Sequence, residues 1–203
     1  MSEKTTPICE YGQNAYDFSL SCTNNKIWTL DRLKGERGLL IFFICNHCPF
    51  VKAIIPKLVK VTNTLIDHGI NSVGIMSNDV NDYPEDSFEN MDKIAKKNKF
   101  SFPYLYDETQ EVAKKYGAVC TPDFFGYNTS LELQYRGRLD ATRMSETSDD
   151  LESYGLTFAL DTTVGNQALS PYLITSKTDN KDEATAYSCM YGIGGSFPAG
   201  DRS

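Results

Sequence analysis

One stretch of this chain leaves few folds open to it. Residues 38–44, GLLIFFI, are continuously apolar and rich in β-branched and aromatic side chains, the pattern of a strand buried on both faces of a sheet. The period then changes. Val51, Ile54, Ile55, Leu58, Val61, Leu65 and Ile66 recur at helical spacing up to a stop at Asp67-His68-Gly69. Pro56 falls inside that helix, where its ring displaces one backbone hydrogen bond and is expected to kink it. The next apolar run, INSVGIM at 70–76, completes a β-α-β unit. Between the first strand and the helix stands Cys45-Asn46-His47-Cys48. The pair of cysteines therefore occupies the carboxyl end of a strand, where open α/β sheets place their chemistry.

Before this unit, residues 16–30 predict two short strands joined at the turn-rich Thr23-Asn24-Asn25-Lys26. After it, Ser77 to Glu85 is polar, and the acidic stretch Asp79 to Asp86 reads as a solvated loop before a helix over 85–98. Its carboxylates suggest calcium, but it lacks the glycine and terminal glutamate of an EF-hand loop. FPYLYD at 102–107 predicts a short strand. Asp107 then caps a helix through Tyr116, with Gln110 at the capping-box position and Gly117 as its stop. DFFGY at 123–127 and LELQYRG at 131–137 flank a hairpin turn at Asn128-Thr129-Ser130. Residues 149–164 are weakly helical in pattern, and the polar, glycine-rich chain from Ser176 onward predicts partial disorder. The expected organisation is an extension over 1–14, one α/β domain over 15–165 and a tail over 166–203.

Composition excludes several classes. With 203 residues, 40% of them hydrophobic, the chain can bury a full core. A net charge of −7 with no basic cluster argues against nucleic acid as a partner. The start, MSEKTTPICEYG, lacks the basic and apolar regions of a signal peptide, and no run is long enough to span a membrane. A cytoplasmic protein without membrane contact is expected. In a reducing compartment, six irregularly spaced cysteines do not form a disulfide framework.

A dithiol at a helix start has a physical logic. Thiol exchange needs a thiolate, and the helix N-terminus offers unpaired amides and about half a positive charge to stabilise it. On this reading Cys45, the first cysteine, attacks, and Cys48, one turn into the helix, resolves the mixed disulfide. His47, when protonated, adds a charge beside Cys45 and makes the disulfide more oxidising, unless it points to solvent.

Three segments carry a resemblance: DFSL…WTLDRLKG at 17–35, FFICNHCPFVKA at 42–53 and FPYLYDETQEVAKKYGAVCTPDFF at 102–125. Through them the chain resembles the thioredoxin-like superfamily, in the redoxin branch between thioredoxins and peroxiredoxins. The resemblance implies a three-layer α/β/α fold with a central mixed sheet and an N-terminal β-hairpin extension. It implies that Pro122 is the cis-proline facing the dithiol and that Thr121 pairs its backbone with an incoming substrate. It also brings Cys120 near the site, either as an accessory thiol or as a small buried hydrophobe. No bound cofactor is implied, and the partners are protein or small-molecule thiols and disulfides.

Departures from the relatives sharpen the alternatives. Ile44, not Trp, precedes Cys45, and the preceding strand holds no buried carboxylate to move protons for Cys48. The Pro-x-x-x-Thr-x-x-Cys pattern of peroxiredoxins is missing, and Arg136 and Arg138, after a hairpin, are expected to be solvated. Of a Gly-Cys-x-Ile-Lys-Trp ending, only the cysteine, Cys189, persists. The principal expectation is a thiol–disulfide oxidoreductase. A thiol peroxidase acting on hydroperoxides is the alternative, with a non-catalytic binding module behind it. A metal site of Cys45, His47, Cys48 and Cys120 lacks a second paired ligand set, so no metal is expected.

Overall fold

The computed structural model describes residues 10–137 and 139, with the backbone of four short outlying strands. In chain order the first elements are β1 (Lys4–Thr5), β2 (Ser19–Cys22), β3 (Ile27–Thr29), α1 (Leu30–Leu33) and β4 (Gly38–Phe43). Next come α2 (Pro49–Asp67), β5 (Ile70–Met76), a 3-10 turn (Pro84–Asp86), α3 (Phe88–Lys97) and β6 (Tyr104–Tyr106). The rest are α4 (Glu111–Tyr116), β7 (Asp123–Tyr127), β8 (Leu133–Gly137), β9 (Thr162–Val164), β10 (Gln167–Leu169) and β11 (Ser188–Cys189).

Seven strands form one mixed sheet in the order β3-β2-β6-β5-β4-β7-β8. The parallel core β4, β5 and β6 is flanked by antiparallel β2 and β7. Every residue of β4 is buried, as a strand covered on both sides must be. Alternation along β4 then feeds two cores. Leu39, Ile41 and Phe43 pack with the hairpin, α1 and α4, while Leu40 and Phe42 pack under α2 and α3. This is the thioredoxin-like α/β/α sandwich with its β2–β3 hairpin.

Helix α2 buries Val51, Ile54, Ile55, Leu58 and Leu65, each contributing about 2 kcal/mol. It runs unbroken through Pro56, which faces solvent. The expected helix over 85–98 divides into the 3-10 turn and α3, because Ser87 caps α3 by accepting from the Asn90 amide. Asp107 anchors α4 from below rather than at its N-cap: its carboxylate accepts the Val112 and Ala113 amides and the Ser77 hydroxyl. Gly117 ends α4 at φ 62°, a left-handed conformation that costs glycine little, and turns the chain toward the site.

Outside the sheet, β1 pairs with β11 and β9 with β10, both antiparallel. Thr162–Val164, expected at the end of a weak helix, is a strand that pairs with Gln167–Leu169. The remainder of that expected helix, the boundary near 165 and the tail otherwise lie outside the described residues. No helix among the described residues is long and apolar enough to cross a membrane.

Candidate active site

The dithiol sits where β4 gives way to α2. Cys45 and Cys48 are free thiols, 1% and 4% exposed. The loop from α4 to β7 crosses over them. Cys45 Sγ lies 3.2 Å from Thr121 Oγ1, and the Cys48 thiol donates to the Thr121 carbonyl at 3.4 Å. The Thr121–Pro122 peptide is cis. Sequence-predicted Cys45, Cys48 and Thr121 thus meet at one point, with Pro122 next in the chain.

The helix begins later than the spacing suggests. Cys48, not Cys45, is the N-cap of α2, with Pro49 at the first helical position. The positive end of the helix therefore falls on the second sulfur. The two thiols share their ionisation. A hydrogen bond from Cys45, set against burial and helped by the Val51 and Phe50 amides, brings Cys48 down to about 6. Cys45 is pushed far up by its bond to Cys48, by burial and by the Asp86 carboxylate.

Asp86 is the residue the sequence reading missed. It ends the acidic stretch taken as solvated, yet it is 0% exposed. Its Oδ1 accepts the backbone amides of Asn46 at 2.6 Å and His47 at 3.2 Å. Its Oδ2 accepts Asn78 Nδ2 at 2.7 Å and pairs with His47 Nδ1 at 2.6 Å. Parallel pairing explains the placement: β4 and β5 end side by side, so the connection after β5 folds over the motif that follows β4. A charged residue in a polar run carries no signal of that arrangement. Asn46 completes the network, donating to the Glu85 carbonyl and accepting from the buried Tyr104 hydroxyl at 3.1 Å.

His47 does not turn to solvent. Its bond to Asp86 raises its pKa against the opposing effect of partial burial, and its ring stacks on Tyr83 at 4.2 Å and 10°. Burial works to raise the pKa of Asp86. The bonds from His47 and Asn78, with the imidazolium charge, outweigh it and hold the carboxyl low. Cys45, His47 and Asp86 bring one donor atom each within 4.8 Å of one another. Asp86, however, already spends both oxygens on four N–H groups, so the cluster fits a hydrogen-bonded pair better than a ligand set.

A second carboxylate lies on the other side of the loop. Asp123, also 0% exposed, follows Pro122 and meets Arg136 Nη2 at 3.2 Å. That arginine, expected in solvent, has a side chain only 8% exposed, also donates to the Gly117 carbonyl and lies over Phe125. It thus ties together both ends of the loop that carries Thr121. Arg138 lies outside the described residues. Cys120 is fully buried and disulfide-bonded, unlike the free Cys45 and Cys48.

Residues 11–142 match the AhpC/TSA family. No curated protein matches the chain. The solved structure of a conserved protein from Geobacillus kaustophilus is 43% identical over 73% of this chain and 79% of that one, with a TM-score of 0.70. A hypothetical protein from Sinorhizobium meliloti is 38% identical over 73% and 80%, with a TM-score of 0.69. The thioredoxin domain of a thiol-disulfide oxidoreductase from Bacteroides vulgatus, at 17% identity over 64% and 90% with a TM-score of 0.55, shares the fold. By the family match the chain belongs to the AhpC/TSA family and is a redox enzyme, and it has the thioredoxin-like fold.

Proposed function

We propose that this protein is a thiol–disulfide oxidoreductase working through Cys45 and Cys48. One observation carries the reading: two free thiols three residues apart converge on the same threonine at 3.2 and 3.4 Å. In the reducing direction, one sulfur attacks a substrate disulfide as a thiolate and forms a mixed disulfide, releasing the first substrate thiolate. The second thiol loses its proton and attacks the bound sulfur, forming Cys45–Cys48 and releasing the second substrate thiolate. The protein gives up two electrons and two protons, and the substrate leaves as a dithiol. Thr121 and Pro122 line the approach, and protein or small-molecule disulfides are the substrate class.

Equilibration in graded glutathione buffers, with disulfides mapped by mass spectrometry, tests this. A reversible Cys45–Cys48 bond is expected. Its failure to form at any poise overturns the reading.

A second reading has its own support. Both sulfurs are almost entirely covered, which favours a small oxidant over a protein disulfide, and the family match admits it. A hydroperoxide would oxidise the thiolate to a sulfenic acid and leave as an alcohol or water; the other thiol would then close the disulfide and release water. Stopped-flow mixing with hydrogen peroxide separates the two. Rapid consumption at one cysteine selects the peroxidase, and slow bulk-thiol kinetics select disulfide exchange.

A further inference from the structure

The order of attack expected from the motif alone is Cys45 first. The surroundings of the two sulfurs argue the reverse, and the difference between them traces to one side chain. The backbone amides that follow a motif's first cysteine are the natural donors to its thiolate. Here those amides, on Asn46 and His47, both point to Asp86 Oδ1. The charged histidine that would otherwise pair with the first sulfur is held by Asp86 Oδ2. The carboxylate lies within 4.8 Å of Cys45 Sγ, where a like charge opposes ionisation. Among the described residues, no backbone amide donates to Cys45; its polar neighbour is the Thr121 hydroxyl, which accepts from a thiol as readily as it donates. Cys48, by contrast, is at the helix N-cap, beyond the reach of these bonds. Against it stand burial and the Thr121 carbonyl at 3.4 Å, a weak S–H···O contact that ionisation would give up.

We propose that Asp86 is a positioning residue that keeps Cys45 protonated and leaves the thiolate, and hence the attack, to Cys48. Asp86 does so by taking the two amides and the imidazole N–H that a Cys45 thiolate would use, and by setting its own charge beside that sulfur. The proposal rests on the dithiol reading above and reverses only the order within it. The titratable groups facing Cys45 are Asp86 and His47, Cys48 at the N-cap of α2 and Tyr104 on β6. Burial drives the Tyr104 phenol upward, so it stays neutral throughout. Glu85 acts on His47.

The test separates the sulfurs. In Cys48→Ala and Cys45→Ala proteins, the remaining thiol is alkylated with iodoacetamide as a function of pH, and the modified site is confirmed by mass spectrometry. Each single-cysteine protein lacks the bond between the two thiols, so the expectation is a relative one: Cys48 alone reacts with a lower pKa than Cys45 alone. Adding Asp86→Asn to the Cys48→Ala protein removes the charge and is expected to raise the Cys45 thiolate at a given pH about tenfold, one pKa unit. Asp86→Ala also frees the amides, and its effect is expected to be larger still. A merely structural Asp86 would leave this profile unmoved. Cys45 titrating below Cys48 in the two single-cysteine proteins overturns the proposal without any change at Asp86, so a poorly folded Asp86 variant does not shelter it. A Cys45 profile that ignores both Asp86 substitutions in folded protein overturns it equally. The single-thiol titrations do not depend on disulfide formation, so failure of the oxidoreductase reading registers separately, in the glutathione equilibration.

Discussion

Two fully buried carboxylates flank the dithiol, and they are in opposite states. Asp86 is held below the ordinary carboxyl range, while burial pushes Asp123 up to about 7. Neither is exposed, but Asp123 lies the deeper of the two, and it also has fewer donors. Asp86 receives two backbone amides, an asparagine amide and an imidazole N–H, and these four bonds replace its lost hydration. Asp123 is met by Arg136 at 3.2 Å, with a smaller pull from the Phe124 amide, and its Oδ1 finds no partner among the described residues; Arg136 Nε is likewise unmet. An unmet buried oxygen carries its desolvation cost in full.

The sharpest way to break the comparison is to delete the better-satisfied member. Asp86→Ala strands four donors in a buried site, and a loss of about 3 kcal/mol is expected, read as a lower urea midpoint with unchanged slope. Next comes the weaker pair. Arg136→Met leaves Asp123 alone, so a loss of about 2 kcal/mol is expected at pH 8, where ionisation is costly, and clearly less at pH 5, where the carboxyl can stay protonated.

The pH dependence of the wild type sharpens the contrast further. A carboxyl raised in the fold supports stability fully below its ordinary pKa, about 4, and loses that support as pH rises through about 7. Asp86, lowered in the fold, has the opposite sign: its contribution is present above the ordinary range and lost as pH falls through its folded value. His47, raised by Asp86, contributes below its ordinary value and loses that contribution as pH rises through the folded one. Stability is therefore expected to peak in acidic solution and to decline by about 2 kcal/mol between pH 5.5 and 8. Asp123→Asn should flatten most of the alkaline decline, and unfolding at pH 5.5 and 8 in both proteins measures it. The smallest effect concerns the stacked ring over His47. Tyr83→Ala is expected to cost about 0.5–1 kcal/mol and to leave the acidic arm of the profile in place.

The sequence carried much of this molecule. The buried strand 38–44, the helix after it, the hairpin before it and the placement of Cys45 and Cys48 all followed from period and punctuation, because those signals are local. Thr121 and Pro122 came from resemblance to relatives, and the structure sets Thr121 against both sulfurs. Asp86, Asn78 and Tyr104 were not legible, and neither was the burial of Arg136. Each is a polar residue whose role depends on partners that are distant in sequence: 40 positions separate Asn46 from Asp86, and 13 separate Asp123 from Arg136.

By itself, then, the sequence determined that two cysteines stand at the carboxyl end of a buried strand and at the start of a helix. Hydrophobic period and turn chemistry act within a few residues and leave their mark there. The tertiary structure decided which cysteine meets the helix charge and where His47 spends its proton. Those outcomes depend on parallel strands bringing two loops together, and on how many donors each buried charge then finds.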